Sequence, residues 1–477
     1  MAYLHGKRDQ LNLLPASIED YVSGCDPVRV YDAFVEGLDI KELGLVLDSD
    51  QVGAPEYNPK AMLKLLLYGY SYGIRSSRKL ERATYHNLSF IWLMGGLKPD
   101  HKTISRFRRD HWESLKKVLR QCARLCLSLG LIEGNTLFVD GTRIKANASD
   151  ARSWDKKKGE KYLKRLEGRI EKVLEECNQA DEAEVGDGSW IRRQEEMGSL
   201  SALKQRVAKA MQELESSDQK CYNETDPESR LLKSGDGYIV GYNVQSVVDD
   251  RHGLIVHAEA VNESNDVHQF RVQIDQANEV LGDRCAVACG DCGYAYTEGL
   301  KAVEEQGIRV IVPSQVQSLH EPTGPFHWDK FCYDRESDCY ICPEGQLLTY
   351  RKTDYKAQQK AYQVKDGSVC RRCRHYGECT KAKAGRTIAK LIDDESKKRF
   401  EAIYRQPESQ AIYRRRKQRA ELPFGHIKWN LGVRSFLMRG IKGVQAEIGL
   451  LATSFNLIRA INLVGVAGLI RKLAPTQ

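Results

Sequence analysis

Three acids far apart in the chain have the residue type and the setting for metal chemistry. Asp140 ends the short apolar run TLFVDGT, and Asp291 stands just past the run that ends in Cys289. Glu421 is the one acid in the stretch YRRRKQRAELPFGHIKWNLGVRSF, from Tyr413 to Phe436. An aspartate at the end of a buried strand is costly unless it is paired or ligating. A carboxylate among Arg414, Arg415, Arg416, Lys417, Arg419, Lys428 and Arg434 is either an ion-pair partner or a metal ligand beside a polyanion. Each acid alone has a plain structural reading: a turn residue for the aspartates, a salt-bridged solvated helix for the glutamate. Together they meet the need of phosphodiester cleavage by two Mg²⁺ ions, which sit about 3.5–4 Å apart on hard oxygen ligands. The surrounding arginines and lysines then suit a nucleic-acid backbone.

Sulfur forms a second constellation. The chain has 14 cysteines, and the densest group reads Cys339-x2-Cys342, then Cys370-x2-Cys373-x5-Cys379. Two CxxC pairs about thirty residues apart point to a structural Zn²⁺ held by four thiolates. Cys342, Cys370, Cys373 and Cys379 make one ligand set; Cys339 in place of Cys379 makes the other. An iron–sulfur cluster and free thiols are the competing readings.

The elements that must position these residues follow from periodicity. Residues 1–135 read as helical. Asn58-Pro59 opens one helix, and Asp100 or Thr103 caps another, HKTISRFRRDHWESLKKVL, whose exposed face carries Arg106 and Arg109. Short helices with an Arg-rich second member suit a DNA-binding helical domain. TLFVDGT predicts a strand. Residues 151–222 keep helical spacing in charge-dense sequence and predict an inserted helical hairpin. From Gly237 the period changes to two, and GYIVGYNVQSVVDD with LIVHAEAV predicts a hairpin with Tyr238, Val240, Tyr242, Val244 and Val248 on one face. A helix follows from about Asp266 to Leu281. Then comes a βαβ unit: strand Cys285–Cys289, a helix capped by Thr297 and ending at Gly307, and strand Ile308–Val312. Asp291 sits beyond the carboxyl end of the first of these strands, where α/β sheets place their sites. Pro407 opens the helix of Glu421, and Pro423 kinks or stops it. The last helix, from about Val444, puts Ile448, Leu451, Phe455 and Ile458 on one stripe. Asp266 and Asn262 at the hairpin-to-helix junction, and His257 and His268, read as structural.

The bulk numbers agree with a large soluble protein. The chain has 477 residues, 41% apolar and 29% charged, with net charge +8. The charge suits a nucleic-acid partner without establishing one. No apolar run of about 18 residues occurs, since Asn456, Arg459 and Asn462 interrupt Ile448–Ile470. The N-terminus MAYLHGKRDQLNLLP has no apolar signal core, so a cytoplasmic chain with reduced thiols and no membrane partner is expected.

The sequence resembles the DDE transposases of bacterial insertion sequences over most of its length. The residues that carry the resemblance are LFVDGTRIKANAS around Asp140, GYNVQSVVDD with NESNDVHQF, GDCGY around Asp291, and AELPFGHIKWNLGVRSF around Glu421. The last is the most specific: an acid before Phe-Gly, a Lys seven residues after the acid, here Lys428, and a Gly-Val-Arg stretch. Tyr413 and Arg416 match the family's upstream Tyr and Arg, each one residue further from the acid than the simplest spacing.

The resemblance implies an α/β fold with a ribonuclease H-like mixed-sheet core. Its parts would be a helical DNA-binding domain at 1–135, core at 136–313 with the helical insertion at about 151–222, a Cys-rich insertion at 314–385, and core again at 386–477. It implies catalysis by Asp140, Asp291 and Glu421 on two Mg²⁺, with Mn²⁺ able to substitute, and DNA contacts from Lys428, Arg416 and Tyr413. Its partners would be double-stranded DNA, as terminal inverted repeats and target, and further copies of the chain assembled on that DNA. A transposase-derived DNA-binding regulator without catalysis and a nuclease that never joins ends are the other readings.

Overall fold

A computed structural model of the chain describes residues 17–46, 56–182, 189–217, 219–235, 237–318, 324–355 and 359–473. These form two units. One comprises Met1–Asp266, Gln273–Arg284 and Lys417–Gln477; the other comprises Val267–Val272 and Cys285–Arg416.

The first unit begins with seven helices: α1 (Val28–Glu36), α2 (Ile40–Leu43), α3 (Pro59–Ser71), α4 (Ser77–His86), α5 (Leu88–Leu93), α6 (His101–Asp110) and α7 (Trp112–Ser128). Their starts follow from local chemistry. Asn58 caps α3 ahead of Pro59, whose missing N–H costs nothing in a first turn. Of the two expected caps for α6, Asp100 is the one used, accepting from Thr103 N at 2.7 Å.

Strand β1 (Thr136–Lys145) outruns the expected apolar stretch and carries Asp140 inside it. Short strands β2 (Ser153–Trp154) and β3 (Tyr222–Asn223) pair at the base of a helical arm, α8 (Lys156–Glu182) and α9 (Ser189–Ser216). Trp154 anchors that base among Val207, Ala210, Met211 and Leu214. Strand β4 (Arg230–Ser234) precedes β5 (Gly237–Asp249) and β6 (Ile255–Val261). β1 takes one edge of β5, while β4 and β6 share the other, all antiparallel. The period-two pattern predicts one covered face for β5. It is instead buried without interruption from Gly241 to Asp249, because both of its faces are covered.

Helix α10 (Gln269–Leu281) starts later than expected. The first unit closes with α15 (Gly440–Val464) and α16 (Val466–Leu473). α15 is long and apolar enough to cross a membrane, but 67% of its apolar window is buried inside the protein. Its Asn456 donates to Ile255 O and accepts from Ile255 N, both at 2.8 Å, so a polar side chain satisfies the β6 backbone.

In the second unit, β7 (Val287–Cys289) and β8 (Arg309–Ile311) run parallel, connected by α11 (Thr297–Glu304). Tyr296 is the N-cap position of α11 and makes no side-chain capping bond, so Thr297 is its first helical residue and not its cap. A five-stranded antiparallel sheet follows, which the sequence reading does not anticipate: β9 (Cys332–Asp334), β10 (Cys339–Ile341), β11 (Leu347–Asp354), β12 (Gln359–Val364) and β13 (Thr387–Leu391), in the order β13-β12-β11-β10-β9. Its core is Phe331, Tyr340, Leu348, Tyr362, Val364 and Ile388. Helix α12 (Gly367–Arg372) lies between β12 and β13, and α13 (Asp394–Arg405) starts on the Asp393 cap.

Helix α14 (Pro407–Gly425) starts at Pro407 as expected, and of the two expected effects of Pro423 the structure rules out a stop. A proline removes one N–H and crowds the carbonyl four residues back. The helix passes through it and runs into a five-residue π-helix, His426–Asn430, a wider turn found at functional sites more than elsewhere.

Candidate functional site

In the first unit Asp140 faces Ser246 across the β1–β5 pair. Two residues on, Thr142 Oγ1 accepts from Lys428 Nζ at 2.5 Å. Lys428 therefore leaves the π-helix and lies against β1. Burial holds its ammonium below the usual lysine range; the neighbouring Arg143 adds to that, and the Asp140 carboxylate opposes it. The chain after Lys428 is strapped to the same strand end. Phe436 N donates to Lys145 O at 2.9 Å, and Asn147 Nδ2 donates to Leu437 O at 2.7 Å. Arg143 lies 3.7 Å from Asp266, which also accepts from Asn243 at 2.8 Å and Gln245 at 2.6 Å. These contacts account for Asp266 as a structural residue.

Glu421 is exposed on α14 while its neighbours Ala420, Pro423 and Phe424 are buried. Leu422 packs on Leu119, Val248, Ile255, Ala452 and Phe455. The β5–β6 turn makes room for this helix: Gly253 has φ +69, and a Cβ there would stand 3.3 Å from Leu422 Cδ2. Arg419 turns toward Asp250, at 3.9 Å. Among the described residues no cation closes an ion pair with Glu421, despite the density of arginine around it. The salt-bridged-helix reading of this acid thus loses its partner.

In the second unit Asp291 caps the turn Cys292–Tyr294, its Oδ1 accepting from Gly293 N at 2.8 Å. A Cβ at the preceding Gly290 would crowd the Phe270 ring, at 3.0 Å. Tyr413 on α14 is half-buried. Burial pushes its hydroxyl up to about 12, Arg416 pulls it down, and the Tyr404, Asp291 and Cys289 groups raise it further. Its ring meets Tyr404 edge-on at 5.1 Å, and the Arg416 guanidinium stands 5.5 Å from its centre. So Asp291, Tyr413 and Arg416 form one neighbourhood, and Asp140, Thr142, Arg143 and Lys428 form another. Thr142 and Arg143 are absent from the sequence reading, although they follow Asp140 directly.

Arg106 and Arg109 are exposed on α6, and Arg109 pairs with Asp110 at 2.8 Å. The buried Arg108 beside them is structural, donating to Arg75 O at 2.8 Å and Tyr70 Oη at 3.2 Å.

Cys342, Cys370, Cys373 and Cys379 line one cavity of about 40 Å³, together with His375 and Arg386. Cys339 is buried on β10 and does not line it. Gln346 N donates to Cys342 Sγ at 3.3 Å, and Arg386 N to Cys370 Sγ at 3.5 Å. Burial pushes the Cys379 thiol up, Arg386 lowers it, and the three other cysteines raise it. The donor set suits Zn²⁺. Among the described residues, however, no three His, Cys, Asp or Glu side chains converge closely enough to hold an ion as they stand.

Residues 16–110 match a family model described as a transposase domain (DUF772), and residues 341–461 match one described as a transposase DDE domain. The second match contains Glu421, Lys428, Tyr413, Arg416 and the four cavity cysteines; the first contains Arg106 and Arg109. No curated protein matches the chain significantly. A cryo-EM structure of the piggyBac transposase synaptic complex with hairpin DNA is similar over 94% of this chain and 79% of that one, at 10% identity and a TM-score of 0.34.

Proposed function

We propose that the chain, which matches transposase family models over residues 16–110 and 341–461, is a DDE-type insertion-sequence transposase that binds its element's ends, cleaves them and joins the 3′-hydroxyls to target DNA. The observation that carries the reading is Glu421: an exposed carboxylate in a strongly basic stretch of the chain that closes no ion pair among the described residues. A carboxylate left open amid so much positive charge suits a metal ligand beside DNA.

In this reading Asp140, Asp291 and Glu421 are the ligands of two divalent ions, Mg²⁺ or Mn²⁺. When bound, the ions supply Lewis-acid activation of the attacking and leaving oxygens. The three carboxylates give hard oxygen donors and leave positions for phosphate and water. Lys428 and Arg416 neutralise phosphates, Tyr413 is held against Arg416 to do the same by hydrogen bonding, and Arg106 and Arg109 grip end DNA from α6. The core is of the ribonuclease H type. The protein works in the cytoplasm on the nucleoid as an oligomer assembled on paired ends. A structural Zn²⁺ on Cys342, Cys370, Cys373 and Cys379 braces the five-stranded sheet.

The test uses the full chain, Mg²⁺ or Mn²⁺, and duplexes carrying the DNA that flanks the gene on either side. Strand cleavage with joined products supports the reading. Cleavage without joining would make the protein a nuclease, and binding with neither would make it a regulator.

A further inference from the structure

The β4–β5 hairpin brings a third cation to the Lys428 neighbourhood. Gly141, Thr142 and Arg143 of β1, Lys233 and Ser234 of β4, and Lys428 line an open cleft of about 500 Å³ in the first unit. Lys233 is exposed at the end of its strand. Among the described residues no carboxylate closes an ion pair with Lys233 or Lys428. Arg143 has one, Asp266 at 3.7 Å, but its Nε is buried without a hydrogen-bond partner. Three cations thus share one cleft with a single distant carboxylate bound to them, and Asp140 is the other acid in the field of Lys428.

We propose that Arg143, Lys233 and Lys428, with the Thr142 hydroxyl, form a seat for one backbone phosphate of a DNA strand. The proposal rests on the reading of the protein as a DNA-joining enzyme and adds Arg143 and Lys233 to its substrate grip. Like-charged groups held together are disfavoured until an anion joins them, and Arg143 can present two parallel N–H groups to a phosphate. The crowding of cations also shows in Lys428, whose ammonium is held low by burial first and by Arg143 second. The place of the seat follows from strand geometry. Thr142 is two residues beyond Asp140 and on the same face of β1, about 7 Å along an extended strand, or roughly two base steps at a rise of about 3.4 Å. The seat fixes the register of the strand near the Asp140 carboxylate and reads no base.

The experiment is binding of the full chain to a short labelled duplex of arbitrary sequence, without divalent metal, over a range of KCl. Each phosphate contact contributes about 0.9 to the slope of log affinity against log salt. Lys233→Gln is expected to lower the slope by part of that amount, and Arg143→Gln with Lys233→Gln by up to about 0.9 in all, the share of one phosphate. Lys172→Gln, at an exposed site on α8, leaves the slope as it is. The exposed Lys233→Gln alone keeps the test clean if loss of the Asp266 pair loosens the Arg143 variant. Unchanged slopes in the cleft variants overturn the seat while DNA binding stands. An equal fall for Lys172→Gln means diffuse charge and overturns it too. A wild-type chain that binds the duplex without salt dependence overturns the DNA reading and the seat together.

Discussion

Lys428 Nζ and Thr142 Oγ1 stand 2.5 Å apart, which fastens the π-helix after α14 to β1 two residues beyond Asp140. The late basic segment is thereby carried to the first of the three candidate acids. Without the extra width of the π-turn, a regular helix would continue past Pro423 on its old axis.

The environment of Lys428 gives a pH dependence. Burial and Arg143 lower its pKa from the ordinary lysine value, against the pull of Asp140. In the proposed role its contribution to DNA binding is therefore lost, as pH rises, earlier than that of a solvated lysine. Lys428→Arg should flatten this alkaline loss, since guanidinium stays charged. The linkage has the opposite sign for stability: the folded state disfavours the charge, so the penalty holds below the folded pKa and fades as pH rises through it. Lys428→Met should raise the melting temperature while weakening DNA binding. A lower melting temperature with unchanged binding would contradict the assignment.

Glu447 is fully buried on α15 and anchors the segment that follows the π-helix. Its oxygens meet Arg75 at 2.7 Å, Leu437 N at 2.8 Å and Met438 N at 3.1 Å, while Arg75 also donates to Ser435 O at 3.0 Å. Glu447→Ala leaves the mostly buried Arg75 guanidinium without its carboxylate and two N–H groups unpaired, and should cost about 3–5 kcal/mol in urea unfolding. A cost below about 1 kcal/mol would mean that water or another group takes its place.

The cysteine cavity predicts metal content. Purified protein should contain about one zinc per chain if the tetrathiolate forms. Cys379→Ser should lose most of it, and Cys339→Ser should keep it, because only Cys379 lines the cavity. Burial raises the Cys379 thiol, so a metal must displace its proton and zinc retention should weaken as pH falls. Zinc kept in Cys379→Ser and lost in Cys339→Ser would reverse the ligand set.

Local chemistry was legible in the sequence, and long-range partnership was not. Asn58-Pro59, Asp100 and Pro407 mark helix starts through capping and ring geometry, and each start is where the residues place it. The parallel pair β7–β8 follows from its apolar runs around one short helix. The five-stranded sheet was missed because its strands are short and half-exposed, and the cysteines between them drew the reading to metal. Arg75 with Glu447, and Thr142 with Lys428, lie hundreds of residues apart, and no periodicity announces such pairs. Lys233 lacked any motif. Its role appears only when the hairpin sets it beside Arg143 and Lys428. The open state of Glu421 was also out of reach, since a sequence shows the cations around an acid but not where they point.

The most direct test of the central claim is strand cleavage and joining by the full chain on gene-flanking duplexes, comparing wild type with Asp140→Asn, Asp291→Asn and Glu421→Gln. Each substitution keeps shape and removes one ligand charge. The account predicts products with Mg²⁺ or Mn²⁺ for the wild type, and losses on the order of 10²-fold or more for each variant, with duplex binding retained. Variants that cleave and join at the wild-type rate would contradict it.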